Sequence, residues 1–210
     1  MTRISTVVFD LGETLVEETR QWQIAAEAAG VPYFTLAAIL GSVIERGLDH
    51  PELWNELGVN RVTAVDHGYV VTPDLFYPDA LPTLRSLKAE GFRIGVVANQ
   101  PAGVVEQLEA LGLPLDIIAS SASTGIAKPD PRFFAYIVEQ CGEPVEAIAY
   151  VGDRLDNDVL PAQSIGMRAI FIRRGPWRYI QSRTIGADRA DHRIDSLDEL
   201  LPLLKRINRE

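Results

Sequence analysis

Thr6-Val-Val-Phe-Asp-Leu-Gly-Glu-Thr14 is the stretch that decides the fold of this 210-residue chain. Its first four residues are β-branched or aromatic, and they predict a short buried strand. The strand ends at Asp10, and the residues that follow predict a loop. In open α/β sheets, ligands bind beyond the carboxyl ends of the strands, so this stretch puts a carboxylate where such a sheet binds its ligand.

Strands and helices alternate regularly through the second part of the chain. Short apolar runs predict strands at 93–98, 115–119, 147–151 and 168–172, and apolar residues at helical spacing lie between them. This alternation is typical of βαβ units. The sequence therefore predicts an α/β fold with a Rossmann-like, doubly wound parallel sheet covered by helices on both faces.

Residues 16–78 interrupt the alternation directly after the first strand. Their apolar residues recur at helical spacing, and three successive helices end at glycines. We therefore expect two domains, an α/β core made of residues 1–15 and 79–210 and an inserted α-helical cap at 16–78.

The composition limits the partners of the chain. Its net charge of −9 argues against nucleic acid, because binding to a phosphate backbone needs a basic surface. The longest apolar run, Leu36–Ile44, is far shorter than a membrane span, and the single Cys141 excludes an internal disulfide. We expect a cytoplasmic monomer or homodimer that binds neither membranes nor nucleic acid. The negative charge does not exclude a small phosphorylated ligand.

Polar side chains follow four of the predicted strands. Asp10 follows the first, Asn99 the second, Lys128 lies beyond the third, and Asp153 and Asp158 follow the fourth. Taken alone, such a residue is more often a turn or cap residue than a catalytic one. Together they bring carboxylates, an amide and an amine to one edge of the sheet, which indicates a binding or catalytic site.

The sequence resembles the haloacid dehalogenase superfamily, in the branch with a helical cap inserted after the first motif. The matching stretches are Val7–Leu15, Val96–Asn99, Lys128–Phe133 and Val151–Val159, and their order and spacing cover nearly the whole core. The resemblance implies a phosphatase-like hydrolase.

The resemblance also implies a magnesium site. Mg²⁺ would be held by the carboxylates of Asp10 and Asp153 and by the backbone carbonyl of Gly12. Asp158 would support the metal shell or orient Lys128. Such oxygen ligands suit a hard cation that works on a phosphate substrate.

The catalytic roles come from the same resemblance. Asp10 would attack phosphorus and form an aspartyl-phosphate, which water then hydrolyses. Lys128 would neutralise the phosphoryl oxygens and the charge of Asp10. Asn99 lies in the loop that binds the phosphoryl group.

Two positions depart from the family pattern. Phosphatases of the family usually carry a second Asp two residues after the nucleophile, where this chain has Gly12. That Asp protonates the leaving group, and such acid–base catalysis is typically worth about 10²–10⁴ in rate. Glu13 lies one residue away, which makes direct substitution doubtful. Ala98 stands where the family usually has a Ser or Thr hydroxyl.

These departures leave three functions open. The first is a magnesium-dependent phosphatase that acts on a small phosphorylated metabolite. The second is a weakly active or non-catalytic member that binds a phosphorylated ligand or a protein. The third is a 2-haloacid dehalogenase, which needs no second Asp but also no metal.

Overall fold

One parallel sheet forms the centre of the molecule. The computed structural model describes residues 2–59, 69–184 and 186–210, and within them the sheet has six strands in the order β3-β2-β1-β4-β5-β6. Their bounds are β1 (Thr6–Phe9), β2 (Arg93–Ala98), β3 (Ile117–Ser120), β4 (Ile148–Gly152), β5 (Arg168–Ile172) and β6 (His192–Ile194). Because β1 lies between β2 and β4, the loops after these three strands meet at one edge of the sheet.

Helices connect the strands and cover both faces of the sheet. In the described residues they are α1 (Thr19–Ala28), α2 (Tyr33–Glu45), α3 (Glu52–Leu57), α4 (Ala80–Ala89), α5 (Gly103–Ala110), α6 (Ser121–Thr124), α7 (Pro131–Cys141), α8 (Leu160–Ser164), α9 (Gly175–Gln181) and α10 (Leu200–Ile207). A π-helical turn, Leu155–Val159, leads from β4 into α8.

The strands bury both of their faces, in two separate apolar clusters. Val7 and Phe9 of β1 belong to the cluster that also contains apolar residues of α4, α5 and α10. Val8 points to the other face and packs in the cluster of α7 and α8. Successive side chains of a strand point to opposite faces of the sheet. Because both faces are buried, the strand sequences are apolar throughout and do not alternate between apolar and polar residues.

A third apolar cluster holds together the helices inserted after β1. Its buried members come from α1, α2 and α3, namely Ala26, Leu36, Leu40, Ile44, Leu53 and Trp54, joined by Trp177 from α9. Trp177 belongs to α9, which follows the last predicted strand. Through Trp177, α9 contacts the inserted helices. Residues 60–68 of the predicted cap lie outside the described part of the chain.

The two segments that join the inserted helices to the sheet run side by side. Val16 and Phe76 form an antiparallel bridge. The Glu17 amide donates to the Leu75 carbonyl at 2.8 Å, and the Tyr77 amide donates to the Leu15 carbonyl at 2.9 Å. The chain therefore leaves the core and returns to it at one place.

The predicted α/β class, the parallel sheet and the inserted helices are confirmed. The third strand begins at Ile117 rather than at 115, and β6 was not predicted. β6 has only three residues, two of them polar, and its pairing with β5 outweighs its weak local preference. The division into two domains stays a prediction.

No single helix in the described residues is long and apolar enough to cross a membrane. Only α1 and α2 taken together meet the criteria of length and composition, and they are bent by 111° relative to each other.

Candidate active site

Asp10 begins a tightly wound loop at the end of the central strand. Its amide donates to the Val151 carbonyl at 2.9 Å, which extends the pairing with β4 by one residue. The amides of Leu15 and Val16 both donate back to the Leu11 carbonyl. Asp10 is 8% exposed, and it lines a cleft.

Lys128 is the positive charge at this carboxylate. Its Nζ atom lies 2.7 Å from Asp10 Oδ1 and 2.5 Å from Asp158 Oδ1. Burial alone would lower the pKa of Lys128, but the charges of Asp10 and Asp158 outweigh burial and hold that pKa well above its ordinary value. Lys128 therefore stays protonated at neutral pH.

Asn99 holds the backbone of Lys128. Its side-chain Nδ2 donates to the Lys128 carbonyl at 2.9 Å, and the Lys128 amide donates to Asn99 Oδ1 at 2.8 Å. Asn99 also lines the cleft. The substrate-binding role stays a prediction, and the observed contacts of the side chain position Lys128.

Asp158 lies against the end of β4. Gly152 makes this approach possible, because a Cβ atom there would lie 2.4 Å from the Cβ of Asp158. Asp158 Oδ2 accepts the Arg154 amide at 3.0 Å, so both of its oxygens have partners. Burial raises the pKa of Asp158 to about 6, against the opposing effect of Lys128.

Asp153 is the carboxylate with an unsatisfied oxygen. Oδ1 lies 3.4 Å from Thr14 Oγ1, whereas the buried Oδ2 has no hydrogen-bond partner among the described residues. Burial, and then the charges of Asp158 and Asp10, raise the pKa of Asp153 well above its ordinary value. A buried carboxylate oxygen without a partner is costly, and a bound cation would satisfy it.

The three carboxylates form one cluster. Asp10, Asp153 and Asp158 each present an oxygen, and these oxygens lie within 4.8 Å of one another. Lys128 supplies one positive charge against three carboxylates, so the cluster fits a divalent cation with oxygen ligands. Gly12 lines the same cleft, two residues beyond Asp10.

Glu13 also lines the cleft, but its carboxylate is bound to the backbone of its own loop and to Tyr77. Its Oε1 accepts the Glu18 amide at 3.1 Å, and its Oε2 accepts the Tyr77 hydroxyl at 2.5 Å. Burial raises the pKa of Glu13, although the hydrogen bond from Tyr77 opposes this. Both oxygens of Glu13 are therefore engaged in holding the loop.

Glu18 was not predicted as a site residue, and the structure puts it in the cleft with Asp10. Its Oε1 accepts the Tyr69 hydroxyl at 2.7 Å and lies 3.4 Å from Gln100 Nε2. Burial raises the pKa of Glu18 to about 7; the Tyr69 hydrogen bond opposes the rise, and the charges of Glu13 and Asp10 add to it. No motif marks Glu18, because it lies eight residues beyond Asp10, at the start of the inserted helices.

The cleft has a volume of about 560 Å³ and lies between the sheet edge and the inserted helices. Trp22 and Trp54 line it, as does Trp177, while Tyr33 is 38% exposed and is not part of its wall. Arg154, stacked 5.0 Å from the Trp177 ring, brings a second positive charge to the wall. The volume suits a small molecule.

Known proteins are similar to this chain in sequence and in fold. Residues 4–166 match the haloacid dehalogenase-like hydrolases, so the chain belongs to this family and is a hydrolase. The predicted family is confirmed.

Among its relatives, a glyceraldehyde 3-phosphate phosphatase of Methanocaldococcus jannaschii is 26% identical over an alignment that covers 99% of this chain and 100% of the relative. A phosphoglycolate phosphatase of Cereibacter sphaeroides is 34% identical, with 79% and 84% covered. The solved structure of a 2-haloacid dehalogenase from Pseudomonas syringae pv. Tomato is 26% identical, with 97% and 99% covered and a TM-score of 0.65.

Proposed function

We propose that this protein is a magnesium-dependent phosphatase that acts on a small phosphorylated metabolite through an aspartyl-phosphate on Asp10. The observation that carries the proposal is the meeting of Asp10, Lys128 and Asp153 at one point of the sheet edge. Lys128 lies 2.7 Å from Asp10, and the Asp10 and Asp153 carboxylates lie within 4.8 Å of each other. A single phosphoryl group can reach all three.

The names of the relatives support the choice of substrate class. Both curated relatives are named as phosphatases of small phosphorylated metabolites, and a cleft of about 560 Å³ accommodates compounds of that size. The acidic surface does not prevent binding, because a cation at the carboxylates and Lys128 reverse the local charge.

The residues of the site then divide the work of phosphoryl transfer. Asp10 attacks phosphorus while Lys128 stabilises the negative charge on the phosphoryl oxygens. Asn99 keeps Lys128 in place through its backbone, and Asp158 orients the amine. Mg²⁺, which Asp10, Asp153 and the Gly12 carbonyl would hold with Asp158 behind them, supplies positive charge to the same oxygens when bound.

Hydrolysis of 4-nitrophenyl phosphate, with and without magnesium, tests the proposal. We expect phosphate release that stops in EDTA and returns with Mg²⁺, and that the Asp10→Asn variant lacks. The substitution keeps the size of the side chain and removes the nucleophilic oxygen. Metal-independent turnover, or full activity of Asp10→Asn, would overturn the proposal.

A 2-haloacid dehalogenase is one alternative, because a solved dehalogenase shares the fold over 97% of the chain and position 12 is Gly, where phosphatases of the family carry an acid. Halide release from 2-chloropropionate in EDTA would favour it. The buried Asp153 Oδ2, which has no hydrogen-bond partner in residues 2–59, 69–184 and 186–210, counts against it, since a metal-free reaction leaves that oxygen without a function.

A binding-only member is the remaining alternative. It would show no turnover of any phosphate ester, together with thermal stabilisation by inorganic phosphate and magnesium. Ligand that binds only the native state raises its stability by mass action, so this outcome is measurable without activity.

A further inference from the structure

The space beside Gly12 is filled by another residue's carboxyl group. A Cβ atom at position 12 would lie 2.2 Å from Oε1, 2.5 Å from Cδ and 2.9 Å from Oε2 of Glu18. The backbone of Gly12 is not in the left-handed region, so its conformation does not require glycine. A side chain at position 12 would have to displace the carboxylate of Glu18, which occupies that space.

Neighbouring side chains hold the Glu18 carboxylate in this place. Tyr69 donates its hydroxyl to Oε1 at 2.7 Å, and Gln100 approaches the same oxygen at 3.4 Å. The hydrogen bonds between described residues leave Oε2 unused. Glu18 therefore has one anchored oxygen and one that is available in the cleft shared with Asp10.

Glu13, the other nearby carboxylate, does not fill this space. Both of its oxygens are engaged, by the Glu18 amide and by the Tyr77 hydroxyl. Its side chain packs against Gly175, where a Cβ atom would lie 2.6 Å from Oε2 of Glu13. Glu13 holds the backbone of Glu18 and so helps to position it.

We propose that Glu18 is the catalytic acid and base of the phosphatase reaction, in the place of a side chain at position 12. In the first half-reaction an Asp10 oxygen bonds to phosphorus, the bond from phosphorus to the ester oxygen breaks, and Glu18 gives its proton to that oxygen. The alcohol leaves, and Glu18 is a carboxylate. This inference rests on the proposed function.

In the second half-reaction Glu18 takes a proton from water as the water oxygen bonds to phosphorus. The bond between phosphorus and Asp10 breaks, phosphate leaves, and both side chains return to their starting states. The ester and one water yield one alcohol and one phosphate, and no other reactant is needed.

The Glu18→Gln variant tests the proton donor through leaving groups of different basicity. Gln keeps the hydrogen bond from Tyr69 but has no proton to donate as an acid. We expect kcat/KM to fall about 10²–10⁴-fold for an alkyl phosphate, and less than about 10-fold for 4-nitrophenyl phosphate, whose leaving group needs no proton. The variant should also release a burst of one nitrophenolate per enzyme, because hydrolysis of the aspartyl-phosphate lacks its base.

Glu17→Gln is the matched control, since it removes the same charge one residue away. The Glu17 side chain accepts the Thr19 amide at 2.9 Å and is not part of the cleft wall. We expect its ratio of activities on the two substrates to match that of the unmodified protein.

A transfer of the carboxylate back to position 12 tests the geometry. In the Glu18→Ala background, Gly12→Asp should restore activity on the alkyl phosphate by at least about 10-fold. In the unmodified background the same change should lower activity, because the two carboxyl groups would occupy one space. Rescue also shows that the Glu18→Ala loss is not a failure to fold.

The outcomes separate this inference from the function beneath it. Absence of magnesium-dependent turnover in the unmodified protein defeats the proposed function and this inference with it. Turnover in the unmodified protein, with Glu18→Gln unaffected or equally impaired on both esters, defeats this inference alone.

Discussion

Asp153 is the residue whose burial and surrounding charges most clearly indicate a bound cation. It is buried, one of its oxygens has no hydrogen-bond partner in the described part of the chain, and two further carboxylates lie close by. Its pKa is raised first by burial and then by those charges, so its ionised form destabilises the metal-free fold at neutral pH.

The Asp153→Asn variant should therefore be more stable than the unmodified protein in EDTA, by about 1 kcal/mol or more, because the amide removes a buried charge and keeps an oxygen for Thr14. Magnesium should stabilise the unmodified protein and leave the variant unchanged. Urea unfolding with and without the metal measures both effects. If the variant is less stable than the unmodified protein in EDTA, the buried charge of Asp153 does not lower the free energy of unfolding as we infer.

At the scale of elements, Asp79 joins three parts of the fold. It precedes α4, and its carboxylate pairs with Arg174 at the start of α9 and accepts the Ser196 hydroxyl and the Leu197 amide at 2.9 Å each. Arg174 is itself buried and donates to the Thr14 carbonyl at 3.2 Å in the Asp10 loop. This network fixes the Asp10 loop through Arg174.

We expect Asp79→Asn to lower the free energy of unfolding at pH 7 by about 3 kcal/mol, because it leaves the buried Arg174 charge without its partner. Urea unfolding measures the loss. Asp188→Asn is the control: its pair with Arg193 lies at the surface, where Asp188 is 96% exposed, and its loss should cost less than about 1 kcal/mol.

The same variant has a defined pH dependence. Burial would raise the pKa of Asp79, but its bonds to Arg174, Leu197 and Ser196 outweigh burial and lower it. The stabilisation is therefore complete above the unfolded pKa of about 3.9 and is lost as the pH falls through the lower pKa of the folded state. The difference in stability between the two proteins should shrink below about pH 4, and a difference that grew on acidification would contradict the assignment.

The elements also show how far the sequence could be read. β1, β2 and β5 have the predicted bounds, because apolar runs between glycines and charged residues mark buried strands clearly. Asp10, Lys128, Asp153 and Asp158 could be placed together because parallel strands bring their carboxyl ends to one edge. α9 could not be predicted from local pattern, since the packing of Trp177 against α1–α3 is a long-range effect that such a pattern does not contain.

The position of Glu18 could not be predicted from the sequence for a related reason. Its position opposite Gly12 depends on how the Asp10 loop winds, on the left-handed Glu13 with its φ of 52°, and on Tyr69 from the far side of the insert. The sequence shows that position 12 is Gly and lacks the usual acid. It does not show that the Glu18 carboxyl group fills the space beside Gly12, because Glu18 lies beyond the loop, at the start of the inserted helices.

At the scale of the whole molecule, we propose that residues 16–78 move as a cap over the cleft, about hinges near Val16 and Pro78. The support is that the inserted helices pack in an apolar cluster separate from the two that cover the sheet, with Trp177 of α9 as its buried core member in the described residues, and that Val16 and Phe76 pair where the insert joins the sheet. Few backbone connections then have to bend when the cleft opens.

Spin labels on Phe34→Cys and Glu109→Cys test this motion. Phe34 is 85% exposed on the insert and Glu109 is exposed on the core, while the native Cys141 is buried with its pKa raised to about 11 and does not compete for label. Magnesium with vanadate should shorten and narrow the distribution of distances between the labels.

A second labelled pair, Glu109→Cys with Glu139→Cys, lies entirely on the core and should give one distance under both conditions. If the first pair is equally insensitive to vanadate, the insert and the sheet form one rigid body.

The bridge between Val16 and Phe76 has a consequence for how such proteins diversify. The chain leaves the sheet and returns to it at two residues that are neighbours in space. The stretch between them can therefore lengthen, shorten or be exchanged without changing the order or pairing of the strands. Asp10 and Lys128, which lie on the core, would then keep their places while the part of the cleft wall that the insert supplies is rebuilt. A graft of another relative's insert between these two points would transfer preference for a substrate, and in this chain it would also carry away the carboxylate that replaces the missing acid.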